Sequence, residues 1–483
     1  MLFNSLKFLV FLPIVFLLYW LVFNKSVKQQ NILLLIASLF FYGYADWRFL
    51  FLLCISSLLN FFIGMKIYRT QKDVNKKRFL WLALVINIGV LGYYKYFNFF
   101  FESFAAFFNL FGANLHYSPL HILLPLGISF FTFQMLGYII DIYWEEIEPC
   151  DNLLNFSTYV VYFPKLLAGP IERAQKFLPQ IEVRRDFNYS LAAAGMRQIL
   201  WGLFAKLVIA NNCAIYANFI FGDHQNANGS TLLIGIFFYA FEIYGDFSGY
   251  SNIAIGVSKL FGINLMTNFS TPFFSTNISD FWKKWHISLT TWMMDYVNTP
   301  LSFQLRGFKK AGMLISIICT FLLVGLWHGA DIKYLLYGLL HGLYFVPLLL
   351  FNTSKRTSVV AKGNLFPSLL EAFQMLGLFI VVSFTLVFFR AESISDAMSY
   401  LKGIFANNIF SIPFFPFRGM ALVTLMLVLI FIFIEWFGRE NPYPMANLDE
   451  KYPKFKRWLI YYILAMVIFV FSGINQQFIY FQF

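Results

Sequence analysis

Apolar runs recur along almost the whole chain, near 6–23, 31–45, 49–65, 79–97, 121–141, 195–217, 231–257, 312–327, 333–351, 369–389, 420–437 and 459–475, with short polar stretches between them. A helix needs about 20 predominantly apolar residues to cross a hydrocarbon core of roughly 30 Å, and backbone in lipid has no water to bond. The pattern therefore predicts an all-α, polytopic integral membrane protein of about 11–12 transmembrane helices, one domain over residues 1–483 with no soluble appendage. Composition agrees: 59% of residues are hydrophobic and 12% charged, and the 64 Phe, 27 Tyr and 11 Trp exceed what a soluble core of this size uses. The first run lacks the basic stretch and small-residue cleavage site of a signal peptide, so it is expected to persist as a span. Cys54, Cys150, Cys213 and Cys319 are scattered, which suggests neither a disulfide framework nor a metal cluster. The formal charge of +12 has no soluble basic domain to hold nucleic acid and is better explained by topology.

Lys25 and Lys28 follow the first run, and Lys66, Arg69, Lys72, Lys76, Lys77 and Arg78 follow the third. By the positive-inside rule both loops are cytoplasmic and the N-terminus is outside. Alternation then places Lys165 to Arg185, Lys259 to Lys310 and Arg439 to Arg457 inside. The acidic loop with Glu145, Glu146, Glu148 and Asp151 is kept inside too, because Asp and Glu weigh little in that rule.

Two inside segments are too apolar for ordinary loops. Residues 153–170 carry Pro164, Gly169 and Pro170 in a run interrupted before it can span, the mark of a re-entrant or interfacial element. Residues 279–297 suit an amphipathic helix with Trp282, His286, Leu289 and Met293 on one face and Lys283 and Lys284 directed outward.

Titratable rings at membrane depth are costly unless they work or are partnered. His328 ends the run that starts near Gly312, and sixteen or so helical residues rise only ~24 Å, so it is expected below the outer surface, in a cavity. His286 is expected to approach from the cytoplasmic side. An imidazole with a pKa of about 6.5 is the usual base for taking a proton from a hydroxyl, the step that acyl transfer from a thioester to an alcohol requires. A Trp-His pair at a span terminus equally suits an interfacial anchor or a packing histidine. His341 in the next span reads first as structural, and His116, His121 and His224 are assigned no role.

Several motifs occur in one order: Pro125-Leu-Gly-Ile-Ser-Phe-Phe-Thr-Phe-Gln134, Phe163-Pro-Lys-Leu-Leu-Ala-Gly-Pro-Ile-Glu, Asp246-Phe-Ser-Gly-Tyr-Ser, Trp285-His286-Ile-Ser, Trp327-His328-Gly-Ala and Phe389-Arg390-Ala391. Together they resemble the membrane-bound O-acyltransferases, and within them the bacterial alginate O-acetylation membrane proteins. The resemblance implies a multi-pass protein of the bacterial inner membrane, with a ring of helices around thinner or re-entrant ones and a central tunnel. It implies His328 as the catalytic residue, with His286 either sharing in catalysis or bracing the donor passage. Trp285, Trp327, Asp246 and Lys283 are expected to contact substrate. It further implies no bound cofactor or metal; acetyl-CoA or another acyl thioester as donor; and an exported polysaccharide with extracytoplasmic transferase partners as recipients. A D-alanyl group passed from a carrier protein to teichoic acid is the related alternative.

Glu242 and Asp246 stand four apart on one face of an apolar helix. They suit a proton relay, a positioning partner for a histidine, or an ion-pair site with a cation on another helix; positioning is the preferred reading. Paired carboxylates also suit a proton-coupled transporter, but no inverted repeat pairs two broken helices here. Asp141, Asp280 and Asp295 are candidates to orient a histidine. Lys165, Arg173, Lys283, Lys284 and Arg306 are candidates to gather the phosphates of coenzyme A, although orientation alone would place them inside.

Overall fold

A computed structural model describes residues 1–483 except 2, 114, 352–358, 407, 475, 477 and 480–483. The described residues are helices and connections without a strand. Eight helices are long and apolar enough to cross a membrane: Arg48–Arg69, Asp73–Asn109, Tyr189–Gly222, Gly229–Leu260, Arg306–His328, Ile332–Leu350, Leu369–Arg390 and Arg418–Gly438. The protein is a multi-pass membrane protein. Four of the twelve expected windows fall outside this set for local reasons. Leu6–Val22 and Ile128–Tyr143 are short. Val27–Asp46 opens on Gln29, Gln30 and Asn31, and Lys454–Phe471 carries Lys454, Lys456 and Arg457 in its first turn. The window at 121–141 is helical only from Ile128, because Pro125 and Gly127, at φ +73, hold the preceding chain out of the helix.

The chain divides into two compact units, Met1–Gly195 with Val257–Met266, and Met196–Gly256 with Thr267–Phe483. In the first unit, polar side chains join helices that have little hydrophobic drive to associate in lipid. Asn31 donates to Asn155 Oδ1 (2.9 Å) and to the Ile181 carbonyl (2.8 Å), and accepts from Arg185 Nη2 (2.7 Å). Asn60 and Asn87 exchange amide hydrogen bonds of 3.1 and 2.8 Å. Residues 153–170 fold as Leu153–Val161 and Phe163–Leu166, broken at Tyr162 just before Pro164.

In the second unit, Lys309–His328 and Ile332–Leu343 form a tight hairpin that carries His328 at its bend. Asp331 starts the returning helix by accepting the Lys333 amide (2.9 Å). The two backbones touch through glycines: a Cβ at Gly325 would lie 2.1 Å from the Tyr334 carbonyl oxygen, and one at Gly338 would lie 2.2 Å from that of Phe321. Gly338→Ala should therefore push the helices apart at a cost of about 1–3 kcal/mol. Gly377→Ala, where a new Cβ meets nothing within 4 Å, should be neutral. Thermal unfolding of the two purified variants checks the contrast.

The expected continuous helix over 279–297 is not formed. Ile278–Trp282 ends at Lys283, His286 sits in the left-handed region at φ 43, and Ile287–Met293 begins anew before a π-helical turn. The break interrupts the helical spacing that would put Trp282, His286, Leu289 and Met293 on one face, although all four side chains are buried.

Candidate active site

Both candidate histidines are buried, His286 completely and His328 at 3% exposure. They lie against one indole: the Trp327 ring centroid is 5.3 Å from that of His286 and 5.1 Å from that of His328. Phe247 packs on His286 at 4.6 Å, and Phe389 on His328 at 5.1 Å. Burial first, and the neighbouring His328 second, hold the His286 imidazole well below the usual histidine range, so it is neutral at physiological pH. His341 lies one residue layer away. Trp282 Nε1 donates to its Nδ1 (3.3 Å), which leaves the proton on Nε2, and the Tyr337 ring lies between it and His328, 4.5 and 6.1 Å from the two.

A second cluster adjoins Phe247. Helices Tyr189–Gly222 and Gly229–Leu260 meet where a Cβ on Gly202 would be 2.6 Å from the Gly249 carbonyl oxygen. That approach, with a π-helical turn over Phe204–Ala210, sets Lys206 against Asp246 as a buried ion pair. Asp246 also accepts the Ile479 amide at 2.7 Å, and Lys206 donates to the Gln476 carbonyl at 3.4 Å.

A cavity of about 260 Å³ is lined in part by Glu242, Lys333, Tyr334, Phe389, Arg390 and Asn218. His328 itself is not on its wall, but Phe389, which packs on the His328 ring, is.

Residues 151–391 match the family described as MBOAT, membrane-bound O-acyltransferase family. The chain is 34% identical over 464 residues to the probable alginate O-acetylase AlgI of Pseudomonas aeruginosa, covering 94% of this chain and 84% of that one. It is 32% identical over 437 residues to a peptidoglycan O-acetyltransferase of Helicobacter pylori, covering 84% and 80%. A teichoic acid D-alanyltransferase of Bacillus subtilis is 34% identical over 238 residues, 47% of this chain and 59% of that one. The chain belongs to the membrane-bound O-acyltransferase family.

As an O-acyltransferase it does not need the transporter reading of Glu242 and Asp246, and the structure separates the two carboxylates. Asp246 is committed to Lys206 and the Ile479 amide, which makes it a helix-to-helix tie and not the open substrate contact expected of it. Glu242 faces the cavity. Asp280, a candidate to orient a histidine, pairs with Lys284 at 2.8 Å. Trp285 packs among Phe269, Phe281 and Tyr244, a wall for the His286 segment. Of the expected phosphate-gathering cations, Lys165 is completely buried, bonded to Gln134 Oε1 with its ammonium over Tyr159 and Phe177. Lys283 and Arg306 are exposed. Sequence reasoning missed Lys206 and Lys333 as neighbours of Asp246 and of the cavity, since which side chains they meet is decided by helices distant in the chain.

Proposed function

We propose that this acyltransferase moves an acetyl group from a cytoplasmic thioester, acetyl-CoA being the simplest, across the membrane to a hydroxyl of an exported polysaccharide, directly or through an extracytoplasmic partner transferase. His328 is the general base. It takes the hydroxyl proton as the oxygen bonds to the acyl carbon; the carbon–sulfur bond then breaks, and the proton passes to the departing thiolate, leaving an ester and a free thiol. The observation that carries this reading is a buried imidazole at a helix bend, packed on a side chain that lines a polar cavity and one indole from a second, neutral imidazole. Buried aromatic packing holds the ring in one orientation, which proximity catalysis requires.

Acetyl is preferred to D-alanyl because the alignments to relatives named for O-acetylation run over 84–94% of the chain, against 47% for the D-alanyltransferase. Those relatives are named for alginate and for peptidoglycan, both sugar polymers, so a sugar hydroxyl is the recipient class. The exposed Lys283, beside the Trp285-His286 segment, is suited to the donor phosphates.

Inside-out membrane vesicles containing the protein and its native partners test the vectorial step. With acetyl-labelled acetyl-CoA supplied outside, label should become ester-linked to polymer in the lumen while coenzyme A stays outside. Label recovered as lumenal acetyl-CoA, or no labelled polymer at all, would overturn the reading.

A further inference from the structure

We propose that the cavity bounded by Glu242, Asn218, Lys333 and Arg390 seats one hydroxylated sugar ring of the acceptor, with the Glu242 carboxylate as the group that orients it. The inference rests on the acyl-transfer reading above and adds to it the substrate class and the residue that selects it. Position is the first reason. Phe389 and Tyr334 line the cavity, and Phe389 also packs against the His328 ring, so the seat and the base share an aromatic neighbour.

Chemistry is the second. Glu242 Oε2 is buried with no hydrogen-bond partner among the described residues. A buried carboxyl group without a hydrogen-bond partner is costly whether it is ionised or protonated, and a ligand that bonds to it removes that cost. Around it stand donors only partly used: Arg390 Nη2 holds Asn218 Oδ1 at 2.7 Å, and Lys333 Nζ holds the Ala391 carbonyl at 2.6 Å. Hydroxyls, each donor and acceptor at once, match a lining that alternates carboxylate with guanidinium, ammonium and amide. With Glu392 also on the wall, two acidic side chains stand with two basic ones, a balance that suits a hydroxylated ring, uronate or neutral, better than a doubly charged phosphate group.

Size and shape are the third reason. About 260 Å³ is below the range of drug-sized sites, roughly 300–1,000 Å³, and suits a single ring. Among the lining residues Asn218 and Glu392 are exposed while Ile479 and Tyr239 are buried, so the rest of a polymer would leave past Asn218 and Glu392.

The test separates binding from turnover. Full-length protein carrying His328→Ala, in lipid nanodiscs, is titrated by calorimetry with an alginate tetrasaccharide and with a peptidoglycan-derived disaccharide. At least one probe should bind, and adding Glu242→Gln should weaken it by about 10- to 100-fold, the value of a hydrogen bond to a charged group. Asn218→Leu, at an exposed lining position, should weaken it comparably and decides the matter should the Glu242 variant not fold. Failure of both probes to bind, or binding unchanged in the folded variants, overturns the proposal. Glu242-dependent binding in a protein whose His328→Ala form still transfers acetyl would reject the base assignment and leave the sugar seat standing. A dead His328→Ala form with unaltered binding in both cavity variants would reject the seat alone.

Discussion

His328→Ala should reduce acetyl transfer by about 10²- to 10⁴-fold, the range a positioned general base supplies. The same residue also packs, with Phe389 and Tyr337 at 5.1 and 6.1 Å, so truncation removes a wall as well as a base. His328→Gln is therefore the sharper variant: it keeps much of the side-chain volume and a hydrogen-bonding tip but cannot accept and return a proton near neutral pH. Both variants should fall by similar factors in kcat, with donor binding little changed and the melting temperature of the glutamine form close to that of the parent. Steady-state transfer from a labelled thioester, beside a thermal melt, measures all three. Near-parental kcat in the glutamine variant would mean that the ring is packing material and that the proton leaves by another route.

Breaking the Lys206–Asp246 pair should give the largest loss of stability. The two side chains are 7% and 4% exposed, so removing one partner strands a charge where neither water nor lipid solvates it, at a cost of about 3–5 kcal/mol. Asp246→Leu alone and Lys206→Met alone should each lower the unfolding midpoint steeply. The double variant should recover most of the loss, because two apolar side chains of similar volume replace the pair. Chemical denaturation in detergent, run as a double-mutant cycle, gives the coupling energy. A double variant no better than the worse single would show that the carboxylate matters for something other than its cation. The Ile479 amide, which donates to Asp246 at 2.7 Å, is the other partner it would lose.

The membrane class and most of the spans were legible because length and apolarity are local properties. A run such as 369–389 or 420–437 has one way to be stable in lipid, and the corresponding helices extend over Leu369–Arg390 and Arg418–Gly438. The motif around 279–297 misled for an equally local reason. Its apolar spacing fits a helix, yet His286 takes a left-handed backbone, which side-chain periodicity does not report. The five cations expected to gather phosphates illustrate a third limit. Charge is written in the sequence, but solvent access is not, and Lys165 spends its charge on Gln134 and two aromatic faces.

The chain's residues alone decided that it lives in a membrane as a helical protein, that it belongs with the O-acyltransferases, and that His286 and His328 were the rings to follow. These conclusions depend on hydropathy, spacing and motif order, which are read along one dimension. Only the tertiary structure decided that both rings lie against Trp327, that Asp246 is tied to Lys206 while Glu242 faces a cavity, and that glycine contacts draw the hairpin tight enough to fix its bend. The physical reason is that neighbouring helices choose their contacts by close packing and buried charge pairing. Residues four apart on one helix can therefore receive opposite assignments from the helices that face them.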